Sequence, residues 1–90
     1  MIKKENFNVL NYVKKEEYTG SMDGMRYMLK RDDEEIVVTI WPEPNSYAHT
    51  SDDLKTVNRF PLSREGVESI CDYLNEQYES QKELWELSKK

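Results

Sequence analysis

The sequence predicts an α+β domain, and three observations carry that prediction. Ile36-Val37-Val38-Thr39-Ile40-Trp41 has β-branched residues at five of its six positions, the composition of a core strand. Met25-Arg26-Tyr27-Met28-Leu29-Lys30-Arg31 precedes it across Asp32-Asp33-Glu34-Glu35, a separation suited to a hairpin loop between antiparallel neighbours. Further on, Val67, Ile70, Cys71, Leu74, Tyr78 and Trp85 fall on one side of a helix at 100° per residue, with Gln81 as the polar interruption. Such a stripe is what covers one face of a sheet.

The other elements follow from the same periodicities. Phe7, Leu10 and Val13 recur every third residue, which predicts a short amphipathic helix from Lys4 to about Lys15. Glu16 to Gly24 contains Gly20-Ser21 and Asp23-Gly24, dipeptides that favour turns because Gly tolerates positive φ and Asp bonds to nearby backbone. In the central strand Ile36, Val38 and Ile40 alternate with Val37, Thr39 and Trp41, so both faces are apolar and the second needs cover. The first helix is the candidate. Pro42 and Pro44 end that strand because proline lacks a ladder donor. Thr56 to Phe60 reads as a third strand closed by Pro61. Ser63 as N-cap, Glu65 in the first turn and a Leu62–Val67 staple start the C-terminal helix at Arg64. The expected order is α-β-β-β-α, with a three-stranded antiparallel sheet and one long C-terminal helix on one face.

Ninety residues make a single domain spanning 1–90 with one modest core. One cysteine, Cys71, excludes an internal disulfide and suits a reducing, cytoplasmic setting. No apolar run reaches signal-peptide or membrane-span length. The net charge of −5 disfavours direct nucleic-acid binding, which depends on Lys and Arg replacing counterions. It makes basic proteins better partners.

The C-terminal helix also carries the most unusual charge pattern. Glu65, Glu68, Asp72, Glu76, Glu79, Glu83 and Glu86 are separated by 3, 4, 4, 3, 4 and 3 residues. At 100° per residue they occupy an arc of about 80°, along about 32 Å of continuous helix. A charged outer face serves solubility by default. Six successive same-sign pairs, however, each cost roughly 0.2–0.5 kcal/mol where alternating Glu and Lys would stabilise, and solubility does not require that. The functional reading is an acidic ridge that meets a basic surface, filling a groove meant for nucleic-acid phosphates.

Other residues carry less chemistry. Asp32-Asp33-Glu34-Glu35 lacks the alternating ligands and central Gly of a calcium loop and reads as a solvated hairpin tip. His49 has no second His and no nearby Cys, so no metal site forms around it. Cys71 on the apolar stripe reads as a small buried thiol. Gly20 to Gly24 precedes a strand rather than a helix, unlike a phosphate-binding loop. Trp41 and Tyr47 lie near acidic loops, where large aromatics serve either packing or partner binding. No cofactor, metal or catalytic group is expected.

Gly24-Met25-Arg26-Tyr27, Ile40-Trp41-Pro42-Glu43-Pro44 and Phe60-Pro61-Leu62-Ser63-Arg64-Glu65-Gly66 resemble stretches of small acidic proteins, without assigned chemistry, encoded on mobile elements of Gram-positive bacteria. The resemblance spans Tyr18 to about Tyr78. Some similar sequences carry an acetyltransferase label, yet this chain lacks the Arg/Gln-x-x-Gly-x-Gly/Ala loop that wraps a coenzyme A pyrophosphate. A mobile-element setting implies instead a small acidic inhibitor of a host defence enzyme that binds nucleic acid. The analogy, one of size and charge, is with anti-CRISPR and DNA-mimic proteins. The alternatives are an enzyme fragment or a self-associating structural module. The expected function is thus a non-catalytic interaction protein acting through the ridge.

Overall fold

Two tight turns organise the sheet. A computed structural model describes residues 2, 3, 5, 7–42 and 47–88. In it Asp23 (φ 45°) and Gly24 (φ 96°) both adopt left-handed backbone, the signature of a two-residue type I′ hairpin turn. The turn joins strands β1 (Tyr18–Met22) and β2 (Met25–Asp32), with Met22 opposite Met25. Asp33 (φ 58°) opens the second turn, which leads into β3 (Glu35–Pro42). Arg31 Nε donates to the Asp33 carbonyl at 2.9 Å and pins that turn. With β4 (Thr56–Pro61) these make a four-stranded antiparallel sheet in sequence order.

The sheet therefore has one strand more than the three expected, because Gly20-Ser21 lies within a strand and forms no turn. Gly20 lies in β1 opposite Tyr27, whose ring occupies the space a side chain would take. A Cβ there would meet Tyr27 Oη at 2.5 Å and Cζ at 2.6 Å. Tyr18 stacks on Tyr27 with ring centroids 6.4 Å apart. The aromatic pair supplies the packing that a glycine cannot.

The N-terminal expectation also changes. Helix α1 is one turn, Leu10–Val13, rather than Lys4 to Lys15; Lys4 and Asn6 lie outside the described residues. Ahead of α1 Phe7 and Val9 are buried while Asn8 is exposed, an alternation proper to extended chain. Asn8, Val9 and Asn11 are weak helix formers, and the segment has a better attachment. The Asn75 side chain grips Ile2 by two hydrogen bonds, Ile2 N to Oδ1 at 2.9 Å and Nδ2 to Ile2 O at 2.8 Å.

Phe7, Val9 and Val13 join the same cluster as Tyr27, Leu29, Ile36, Val38 and Ile40 of the sheet and Val67, Ile70, Leu74 and Trp85 of the C-terminal helices. The N-terminal segment thus shares the first face and does not cover the second. On the second face Met28, Thr39 and Trp41 are buried. Thr50 is the other buried side chain outside the main cluster among the described residues. Thr50 sits between the 3-10 turns Tyr47–His49 and Asp52–Leu54 of the chain that leads from β3 to β4.

The C-terminal helix starts where its signals place it. Helix α2 runs Arg64–Ser80, and Ser63 (φ −153°, ψ 169°) accepts a hydrogen bond on Oγ from Gly66 N at 3.1 Å. It is not continuous to the end, because Gln81 (φ −123°, ψ 30°) separates it from α3 (Lys82–Ser88). Trp85 Nε1 reaches back across the break to Gln77 O at 3.2 Å, and the indole is 2% exposed. The Gln77 carbonyl thus accepts both the Gln81 amide, at 3.2 Å, and the indole.

Candidate interaction surface

Helix α2 buries Val67, Ile70, Cys71, Leu74 and Tyr78, which fixes its rotation about its own axis. That rotation turns Glu65, Glu68, Asp72, Glu76 and Glu79 to solvent, and Glu83 and Glu86 on α3 are exposed as well. The ridge is therefore present, but in two pieces that meet at Gln81. The first piece runs from Glu65 to Glu79, a separation of about 21 Å along the helix at 1.5 Å per residue. The side-chain carboxylates of Glu65, Glu68, Glu76, Glu79 and Glu83 make no hydrogen bond or ion pair with any described residue.

The hairpin carboxylates behave differently. Asp32 and Glu35 are both engaged by the Arg59 guanidinium, at 2.9 and 3.2 Å. The Asp32 hydrogen bond, then its charge, hold Arg59 further toward its protonated form. Among the described residues no three His, Cys, Asp or Glu side chains converge to hold a metal. Cys71 is fully buried, with Sγ 3.5 Å from the Ile2 carbonyl. His49 is exposed in its 3-10 turn.

The structure does not bring Trp41 to the ridge. Its side chain is 3% exposed on the second face of the sheet, opposite the helices, so its packing role is the one realised. Tyr47 opens the first 3-10 turn, and its side chain lies outside the described residues. What the sequence reading missed is apolar surface beside the acid. Leu84 and Leu87 on α3 are 43% and 66% exposed. Leu87 lines an open concavity of about 730 Å³ together with Glu79, Glu83 and Glu86. The available signal was two leucines off the apolar stripe within an otherwise charged segment.

A second groove, about 840 Å³, runs between the N-terminal segment and the start of α2, lined among others by Val9, Leu10, Arg64 and Glu68. Of the ridge carboxylates, Glu68 lines it. No helix among the described residues is long and apolar enough to cross a membrane. Compared with known proteins, the chain matches no family, no curated protein and no solved structure.

Proposed function

We propose that this chain is a small non-catalytic interaction protein that presents the outer face of α2 and α3 to a basic protein surface. In this reading the partner is a cytoplasmic nucleic-acid-binding enzyme, and the chain inhibits it by occupying the groove meant for phosphates. One observation carries the reading: five exposed carboxylates of the ridge are left without a partner among the described residues, although the same chain pairs Asp32 and Glu35 through Arg59.

The charge spacing is compatible with this role. The five carboxylates of α2, Glu65, Glu68, Asp72, Glu76 and Glu79, lie over about 21 Å and give one charge per 4–5 Å or so, close to the 3.4 Å of a single nucleic-acid strand and well below duplex density. Leu84 and Leu87 beside Glu83 and Glu86 add the apolar contact that charge alone does not supply. Exposed ion pairs contribute little affinity but much steering and specificity.

The test is capture of partners from host lysate with the native chain and with an Asp72→Lys, Glu76→Lys, Glu79→Lys variant. These positions leave the buried stripe untouched, so the variant should fold, and at low salt Glu68 and Glu83 gain opposite-charge neighbours. The native chain should retain a basic nucleic-acid-binding protein, and retention should fall steeply as salt rises, since exposed charges are screened over about 8–10 Å. A folded variant that captures the same partner as strongly would reduce the ridge to a solvated face.

A further inference from the structure

The two edges of the sheet are finished differently. On β4 the pairing of Glu35 with Pro61 through Ile40 with Thr56, and the Leu62 N to Glu34 O bond of 2.9 Å, put Val57, Arg59 and Pro61 at non-hydrogen-bonded positions. Their backbone groups therefore face outward. Most of that edge is already closed. Pro61 has no N–H, its carbonyl accepts from Ser63 N at 2.9 Å, and Arg59 N donates to Asn58 Oδ1 at 2.9 Å. Proline, charge and side-chain capping are the usual means of blunting an edge strand.

On β1 none of these devices is present. The two-residue turn makes Met22 and Met25 a hydrogen-bonded pair, and the register makes Gly20–Tyr27 and Tyr18–Leu29 the next two. Thr19 and Ser21 then direct N–H and C=O away from β2. Both residues are exposed, and no described residue bonds to them. The strand Tyr-Thr-Gly-Ser-Met has no charge and no proline. On its core side Tyr12, 49% exposed, packs edge-on against Tyr18 with centroids 5.6 Å apart, forming an aromatic shelf beside the edge.

We propose that the outer edge of β1 accepts an extended segment of a partner protein as a fifth strand. A second copy of the chain fits poorly. In the antiparallel register that pairs all five residues, Gly20 meets Gly20 and Glu17 meets Asp23 twice, and like charges directly opposite are destabilising. The same two carboxylates, Glu17 already 3.8 Å from Lys30 Nζ and Asp23 accepting from the Tyr78 hydroxyl at 3.3 Å, keep both strand ends acidic and favour Lys or Arg at both ends of the incoming segment, six positions apart. Between them a β-prone run pairs its backbone with Thr19 and Ser21 and lays alternate apolar side chains beside Tyr12 and Tyr18. Main-chain bonds with alternating side-chain contacts are the physics of strand addition. This inference is independent of the acidic ridge.

The probe is the capped peptide Lys-Val-Thr-Val-Thr-Val-Lys with the isotope-labelled full chain, read by amide hydrogen exchange. At saturating peptide, exchange at Thr19 and Ser21 should slow at least tenfold, while Val57 on the opposite edge is unchanged. A peptide N-methylated at both Thr residues, one with Glu at both ends, and a Thr19→Lys, Ser21→Lys chain should each abolish the effect. No slowing with the parent peptide, or equal slowing with the N-methylated one, would overturn the proposal. So would protection at Thr19 and Ser21 that grows with protein concentration without peptide, since a second copy would then be the occupant.

Discussion

Gly66→Ala is the substitution for which propensity and structure give opposite signs. Gly66 is the third residue of α2, where alanine ordinarily improves a helix by about 1 kcal/mol. Its backbone instead faces the end of β4. A Cβ at Gly66 would run into the Pro61 carbonyl oxygen and lie 2.9 Å from the carbonyl carbon. These are backbone atoms held by Ser63 N on Pro61 O and by Leu62 N on Glu34 O, so they cannot swing aside as a side-chain tip would. Relieving the contact means displacing the first turn of α2 from the sheet, which also pulls Gly66 N from Ser63 Oγ. Overpacking of this kind costs roughly 1–3 kcal/mol, and the lost cap adds about 1 kcal/mol. Subtracting the propensity gain leaves a net loss of about 1–3 kcal/mol. For a domain of this size each kcal/mol moves Tm by about 4–8 °C, so the variant should melt at least 5 °C or so below the native chain. Thermal and denaturant unfolding followed by circular dichroism measure it. A variant as stable as the native chain, or more so, would show that the strand-to-helix approach is looser than described.

Three further outcomes are expected. Ser63→Ala should cost about 1 kcal/mol by leaving the Gly66 amide unpaired, visible as a lower denaturation midpoint at unchanged m-value. Asn75→Ala removes both hydrogen bonds to Ile2 and should cost about 1–3 kcal/mol, with faster exchange of the Ile2 amide than of the sheet core. Burial, aided by Tyr18 and Cys71, pushes the Tyr27 phenol up to about 12. Because the folded value lies above the ordinary one, near 10, the neutral ring's contribution is complete below pH 10 and is lost as pH rises toward 12. Absorbance at 295 nm should show a late tyrosinate step that accompanies loss of structure, and completion of all tyrosine ionisation near pH 10 in a folded chain would contradict it.

Features set by strong local chemistry were legible in the sequence. The core strand, its hairpin partner, the strand ending at Pro61 and the α2 start at Arg64 all rest on residues whose preference the tertiary structure reinforces. The two revisions come from opposite situations. In β1 a glycine weakened the strand signal locally, and the compensation comes from the Tyr27 ring across the sheet, which a linear reading does not see. The Asp23-Gly24 pair was still informative, since a two-residue turn ahead of one strand requires another before it. At the N-terminus Phe7 and Val13 of the predicted stripe are buried and Leu10 is half-buried, but spacing alone does not decide between helix and extended chain. The Asn75 clamp on Ile2, 73 residues away in sequence, helps settle it.

The ridge shows the same division between what spacing fixes and what packing adds. Spacing located its seven carboxylates on one helical side, and burial of the Val67 to Tyr78 stripe turned that side outward. Spacing could not reveal the break at Gln81, across which the buried Trp85 reaches back to the Gln77 carbonyl. The break has a consequence for the proposed interface. Around the break lies a concavity in which Glu79, Glu83 and Glu86 share space with Leu87. Apolar contact inside a charged rim is the arrangement in which a few central residues dominate affinity and the rim governs on-rate. Leu87→Ala should therefore raise the dissociation rate of a captured partner with little change in its salt dependence, and Glu76→Lys should do the reverse. If the two variants alter the same kinetic constant, measured by surface plasmon resonance at two salt concentrations, the concavity and the ridge do not divide the work in this way.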